Sequence, residues 1–122
     1  MEPKALKPVE WVASSRNDLK DFPAQVRDHV GFALYQAQVG LKSRAAKPLK
    51  GLGSGVLEVV SRHDGESFRA VYTVRFEMAV YVLHAFQKKA RKGIATPKRE
   101  IDIVKQRLKA AASHYEANYG KA

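Results

Sequence analysis

The run VLEVVSRHDGESFRAVYTVRF, from Val56 to Phe76, constrains the fold more than any other part of the chain. Two alternating stretches flank His63-Asp64-Gly65-Glu66, and Asp-Gly is a favoured two-residue hairpin turn. A turn at Asp64-Gly65 sets the pairing of both strands: His63 faces Glu66, Arg62 faces Ser67, Val60 faces Arg69 and Glu58 faces Val71. One face of the hairpin then collects Glu58, Arg62, Arg69, Thr73 and Arg75. The other collects Leu57, Val59, Phe68, Ala70, Tyr72, Val74 and Phe76, which predicts the core side.

The segments around the hairpin supply what must cover it. KPVEWVAS alternates as a first strand, and Ser14 and Ser15 offer an N-cap for a short helix through SRNDLKDF. Asp21 and Pro23 mark a second helix start, and Val26, Val30, Ala33, Leu34, Ala37 and Leu41 follow at helical spacing. KSRAAKPLKGLGSG, residues 42–55, has too much glycine and charge for long regular structure and predicts a basic loop. EMAVYVLHAF is apolar on both sides, as expected of a strand covered on both faces. Thr96-Pro97 predicts a cap with proline at the first helical position, and Ile101, Val104, Leu108, Ala111 and Tyr115 then form the stripe of a C-terminal helix. The expected fold class is α+β: an antiparallel sheet of about four strands packed on two N-terminal helices and a C-terminal helix, all on the core face. A chain of 122 residues is expected to be one domain, residues 1–122.

Charge narrows the partners. The formal net charge of +10 favours a polyanion, nucleic acid before acidic protein or anionic lipid. The other reading of that charge is solubility alone. With no cysteine, disulfides, thiolate zinc sites and cysteine nucleophiles are excluded. No apolar run approaches the roughly 18 residues of a membrane span, and MEPKALKPVEW lacks a signal-peptide core, so a cytoplasmic protein without a membrane partner is expected.

The arginines of the polar hairpin face are candidates for phosphate recognition, because guanidinium is a permanently charged fork matched to phosphate oxygens. The competing reading is a solvated face with a Glu58–Arg69 pair. Lys88, Lys89, Arg91 and Lys92 follow the last strand, and Lys47 and Lys50 lie in the basic loop. Together they are expected to rim a cationic, RNA-binding cleft with Arg62 and Arg75, though lysine runs are usually solvated surface. His84 lies in the register of Val80 and Val82 and is either a buried, satisfied residue or a proton carrier. No histidine pair has metal-ligand spacing and GLGSG lacks the lysine and helix of a phosphate loop, so neither metal nor cofactor is expected. A nuclease without metal ligands must use acid–base chemistry and cations, with the 2′-hydroxyl of RNA as internal nucleophile.

GSGVLEVV, SFRAVYTV and AVYVLHAFQKKARKGIATPKREIDI together resemble the phage-derived, HigB-like branch of the RelE/ParE toxin superfamily, over nearly the whole chain from KPVEWV onward. The resemblance implies a small RelE-like fold and a toxin of a type II toxin–antitoxin system. Its implied activity is ribosome-dependent mRNA endoribonuclease, an mRNA interferase, inhibited by a HigA-like helix-turn-helix antitoxin. Its partners would be that antitoxin, the ribosome and mRNA, with operator DNA bound only through the antitoxin complex. Carried over by position, Arg69 falls where relatives place the transition-state arginine, Lys88 where they place a second cation at the scissile phosphate, and Lys89 completes that pair. His84 and Glu58 remain as proton carriers, Leu57 and Val59 stand near the lysine pair of RelE, and only Tyr115 and Tyr119 offer a closing tyrosine. The alternative is a ParE-like gyrase inhibitor, or an inactive relative that binds only its antitoxin. On this reading Arg69→Ala abolishes growth inhibition and leaves the fold intact.

Overall fold

The computed structural model describes residues 5–88 and 95–120. In chain order the elements are β1 (Val9–Trp11), α1 (Ser15–Lys20), α2 (Ala24–Gln38), β2 (Ala46–Pro48), β3 (Val56–His63), β4 (Glu66–Thr73), β5 (Val80–Lys88) and α3 (Lys98–Tyr119). The strands form one five-stranded sheet in the order β1-β5-β4-β3-β2.

The hairpin forms in the expected register, with His63 opposite Glu66, Arg62 opposite Ser67, Val60 opposite Arg69 and Glu58 opposite Val71. Asp64 and Gly65 both adopt positive φ, 51° and 78°, which turns the chain with the twist that two paired strands need. The basic loop contributes one strand the alternation did not show: β2, three residues long, pairs antiparallel along the edge of β3. β1 pairs with β5 in parallel, so the sheet is mixed rather than wholly antiparallel.

The sheet is buried on both faces, not one. Leu57, Val59, Phe68, Ala70, Tyr72, Val80 and Val82 pack with Leu19 and Phe22 and with Val26, Val30 and Ala33 of α2. On the other face Val56, Val71, Tyr81 and Leu83 pack with Val104, Ala111 and Tyr115 of α3. The helices therefore lie on opposite sides, with the sheet as the middle layer. The polar hairpin face thus becomes the seat of α3. Val74 and Phe76 depart from the expected core set because β4 ends at Thr73: Val74 is exposed, and Phe76 joins the α3 cluster. Leu41 likewise lies beyond the end of α2 and is exposed.

β5 holds the feature that arranges the site. Val71 pairs with His84 and the next residue, Tyr72, pairs with Val82, so Leu83 is an extra residue in β5. Such a bulge reverses the alternation beyond it. Val80 and Val82 face α2, whereas His84 faces α3, so the expectation that these three share a face does not hold.

Candidate functional site

Three adjacent rows run across the face beneath the start of α3. Lys47, Glu58, Val71 and His84 occupy the first, Val60, Arg69 and Phe86 the second, and Arg62, Ser67 and Lys88 the third. Directly opposed residues of antiparallel strands share a face, so the sheet itself gathers the charges.

At the centre is a closed ring of hydrogen bonds. Arg69 Nη1 donates to Glu58 Oε1 at 3.2 Å and to Thr96 Oγ1 at 3.1 Å, and Thr96 Oγ1 donates to Glu58 Oε2 at 2.6 Å. Arg69 is only 2% exposed and Glu58 8%. The guanidinium expected on an open sheet face is instead sealed under the residues that lead into α3. Burying an ion pair is costly, and the third member matters because it satisfies carboxylate and guanidinium at once.

Thr96 was expected to cap α3 and does not. The capping position is Pro97, which makes no side-chain cap, and the Thr96 hydroxyl is committed to the ion pair. Thr96→Val keeps the shape and removes both bonds, leaving a buried carboxylate oxygen short of a donor. It should lower the unfolding free energy by about 1–3 kcal/mol, as measured by urea denaturation. A change below about 0.3 kcal/mol would show that the ring does not need the hydroxyl.

Lys88 is also buried, and its Nζ donates to the carbonyl of Ala95 at 2.8 Å. Desolvation and, after it, the charge of Arg69 hold its ammonium below the ordinary lysine range. Two cations therefore occupy neighbouring rows where water is scarce, an environment in which an added anion is strongly attracted.

His84 Nδ1 accepts from Arg107 Nη1 at 3.1 Å, so the ring proton sits on Nε2, which donates to Glu100 Oε2 at 3.2 Å. Arg107 also donates to the Leu83 carbonyl and to Ser14 Oγ, tying α3 to β5 and to the start of α1. Burial pushes the imidazole below its usual pKa of 6.5, helped by Arg107 and opposed by Glu100. A folded-state pKa below the unfolded one means that protonation favours the unfolded chain. Stability contributed by neutral His84 is full above about pH 6.5 and is lost as pH falls through the depressed folded value. His84→Asn should flatten the fall in Tm between pH 7.5 and pH 5, and an unchanged slope would exclude His84 as its source.

Arg75 and Lys50 are not brought to this site. Arg75 lies past the end of β4, where Nε donates to the Ser54 carbonyl at 3.0 Å and Nη2 donates to the carbonyl of Leu52, clamping the loop before β3. Lys50 belongs to the same loop, at the opposite end of β3 from Arg62. Lys47 and Arg62 do border the site, on β2 and β3, and both are exposed. Lys89, Arg91 and Lys92 lie outside the described residues. Among the described residues no cluster of three or more metal-ligating side chains occurs, and no helix is long and apolar enough to cross a membrane.

The residues that sequence reasoning missed are Thr96, Glu100 and Arg107. Glu100, Val104, Arg107 and Ala111 fall at helical spacing, so the same stripe that predicts the buried face of α3 also carries the two partners of His84. Nothing local marks Thr96, whose role depends on contacts 27 and 38 residues away in sequence.

The arrangement of helices on a mixed sheet is that of the RelE fold. Superposition on Escherichia coli toxin RelE, a mutant form in the free state, gives a TM-score of 0.57 at 14% identity, covering 87% of this chain and 98% of that one. Residues 17–109 match the family described as "Phage derived protein Gp49-like (DUF891)". The chain belongs to that family, which is one of RelE/HigB-type toxins, so it is a toxin–antitoxin toxin with an antitoxin as partner. No curated protein matches it.

Proposed function

We propose that the protein is a ribosome-dependent mRNA endoribonuclease that cleaves without a metal ion. The observation that carries this reading is the buried, immobilised Arg69 with the desolvated ammonium of Lys88 in the neighbouring row. A guanidinium whose orientation is fixed in advance costs no reorganisation when charge develops on a phosphate, and it acts more strongly where water is excluded.

In the proposed reaction the ribose 2′-oxygen forms a bond to phosphorus and the bond from phosphorus to the 5′-oxygen breaks. The 2′-hydroxyl proton goes to a base and the 5′-oxygen takes a proton from an acid, leaving a 2′,3′-cyclic phosphate and a 5′-hydroxyl. Arg69 and Lys88, with Lys89, stabilise the phosphorane charge. His84 and Glu58 are the two proton carriers of this reading, and His84 accepts a proton only once Arg107 releases its Nδ1. Lys47 and Arg62, with Arg91 and Lys92, would hold flanking phosphates. The antitoxin would be of the HigA-like helix-turn-helix type.

The test is cleavage of a defined mRNA on purified ribosomes, with the new ends mapped. Wild type should produce discrete 5′-hydroxyl ends paired with 2′,3′-cyclic phosphate ends, the products of 2′-hydroxyl attack, and Arg69→Lys, which keeps the charge near Glu58 but loses the fork, should cut at least about 100-fold more slowly, the scale of losing a preorganised donor. Inhibition of gyrase supercoiling with no mRNA cleavage would overturn the proposal in favour of a ParE-like activity.

A further inference from the structure

Two buried polar atoms of this site have no hydrogen-bond partner among the described residues: Arg69 Nε and Ser67 Oγ. Burying a polar group without a partner costs free energy, and native structures leave few such groups without reason. These two are not independent, for Ser67 and Arg69 are alternate residues of β4 and point to the same face, about 7 Å apart along the strand.

Their placement is specific. Glu58 and Thr96 engage Arg69 through Nη1, so the guanidinium is anchored by one corner while Nε lies at the other. Oxyanions bind arginine in a bidentate manner along such an edge. Ser67 stands directly between Arg62 and Lys88 in the third row, so every side chain around its hydroxyl in that row is cationic. Arg62 is exposed and Ser67 half-buried, which gives the row an open side at the hairpin end. A tetrahedral anion with oxygens about 2.5 Å apart, each accepting at about 2.8 Å, spans the repeat between alternate residues.

We propose that Arg69 Nε and Ser67 Oγ are the paired donors of a phosphate-binding notch, closed by the charges of Lys88 and Arg62, and that Ser67 is a substrate-positioning residue. The notch rests on the proposed nuclease reading only for the identity of its anion, a phosphate of RNA. Ser67 supplies a short, neutral donor that orients one non-bridging oxygen toward the guanidinium edge, while Lys88 and Arg62 supply attraction without direction. Because both donors are screened from solvent, binding displaces neighbouring side chains on the Arg62 side.

The experiment is a titration of the full chain with inorganic phosphate at constant ionic strength, following arginine Nε–H signals by 1H–15N NMR, with Arg69→Lys identifying the Arg69 signal. The expected result is a saturable downfield shift of that signal, absent with chloride. Ser67→Ala should weaken phosphate binding about tenfold, the loss of one hydrogen bond to a charged group, and Ser67→Thr should restore it. No saturable shift, or equal affinity in Ser67→Ala, overturns the notch. The companion measurement on ribosomes separates the two proposals. Phosphate binding that requires Ser67, with no mRNA cleavage, keeps the notch and removes the nuclease. Cleavage by Ser67→Ala at the wild-type rate and KM, with no phosphate shift, does the reverse.

Discussion

Arg69→Ala is expected to destabilise the protein by about 3–5 kcal/mol, the range for breaking a buried ion pair by removing one partner. Arg69 and Glu58 are almost wholly enclosed, at 3% and 10% side-chain exposure. Removing the guanidinium leaves the Glu58 carboxylate buried with Thr96 as its remaining donor in the ring. Burial of Arg69 therefore replaces the expectation that this variant keeps its fold, natural for an exposed arginine, with that of a markedly less stable protein. Loss of growth inhibition in Arg69→Ala would not distinguish lost chemistry from lost protein, which is why Arg69→Lys is the variant for the ribosome assay.

The measurement is urea denaturation of the single variant and of a Glu58→Leu/Arg69→Met double variant. If the cost is that of a stranded charge, the double variant should recover most of it, since paired charges replaced by apolar residues of similar volume are often neutral. A single-variant loss below about 1 kcal/mol, the scale of an exposed pair, would mean that water reaches Glu58 and the ring is loose.

Leu83→Ala should cost about 2–5 kcal/mol, the transfer and cavity terms for a buried leucine. Leu83 is fully enclosed among Val104, Tyr81 and Val71 between β5 and α3. It is also the bulged residue, and its carbonyl accepts from Arg107, so the backbone there holds the helix while the side chain fills the interface. The Leu83→Ala chain should retain the His84 contacts at reduced stability. Deleting Leu83 should instead restore simple alternation with His84 still facing α3, and should cost at least as much as Leu83→Ala because the carbonyl that accepts from Arg107 is lost as well. Thermal unfolding monitored by circular dichroism checks both, and a Leu83→Ala loss below about 1 kcal/mol would contradict the packing of this interface.

Much of this was legible locally. The Asp64-Gly65 turn, the register of β3 against β4 and the double-sided burial of β5 follow from period-two alternation and turn chemistry, which act over a few residues. The stripes of α2 and α3 follow from helical period in the same way. β2 was not legible because three residues, one of them Pro48, are too few to show alternation, and its strand character comes from pairing with β3. The bulge at Leu83 was hidden because a strand buried on both faces is apolar at every position, so an extra residue disturbs no pattern.

Sequence alone determined that Arg69, Glu58, Arg62 and Lys88 are available to one end of one sheet, since the hairpin places three of them and the last strand the fourth. Whether that face meets water or a helix is a property of layers, and only the tertiary structure decided it, by laying α3 across the charges. The reason is physical: alternation records which residues share a side, but a charge can be buried wherever distant partners such as Thr96 complete its hydrogen bonds. That same covering turned an apparent surface of arginines into a buried ring with two unsatisfied donors beside it.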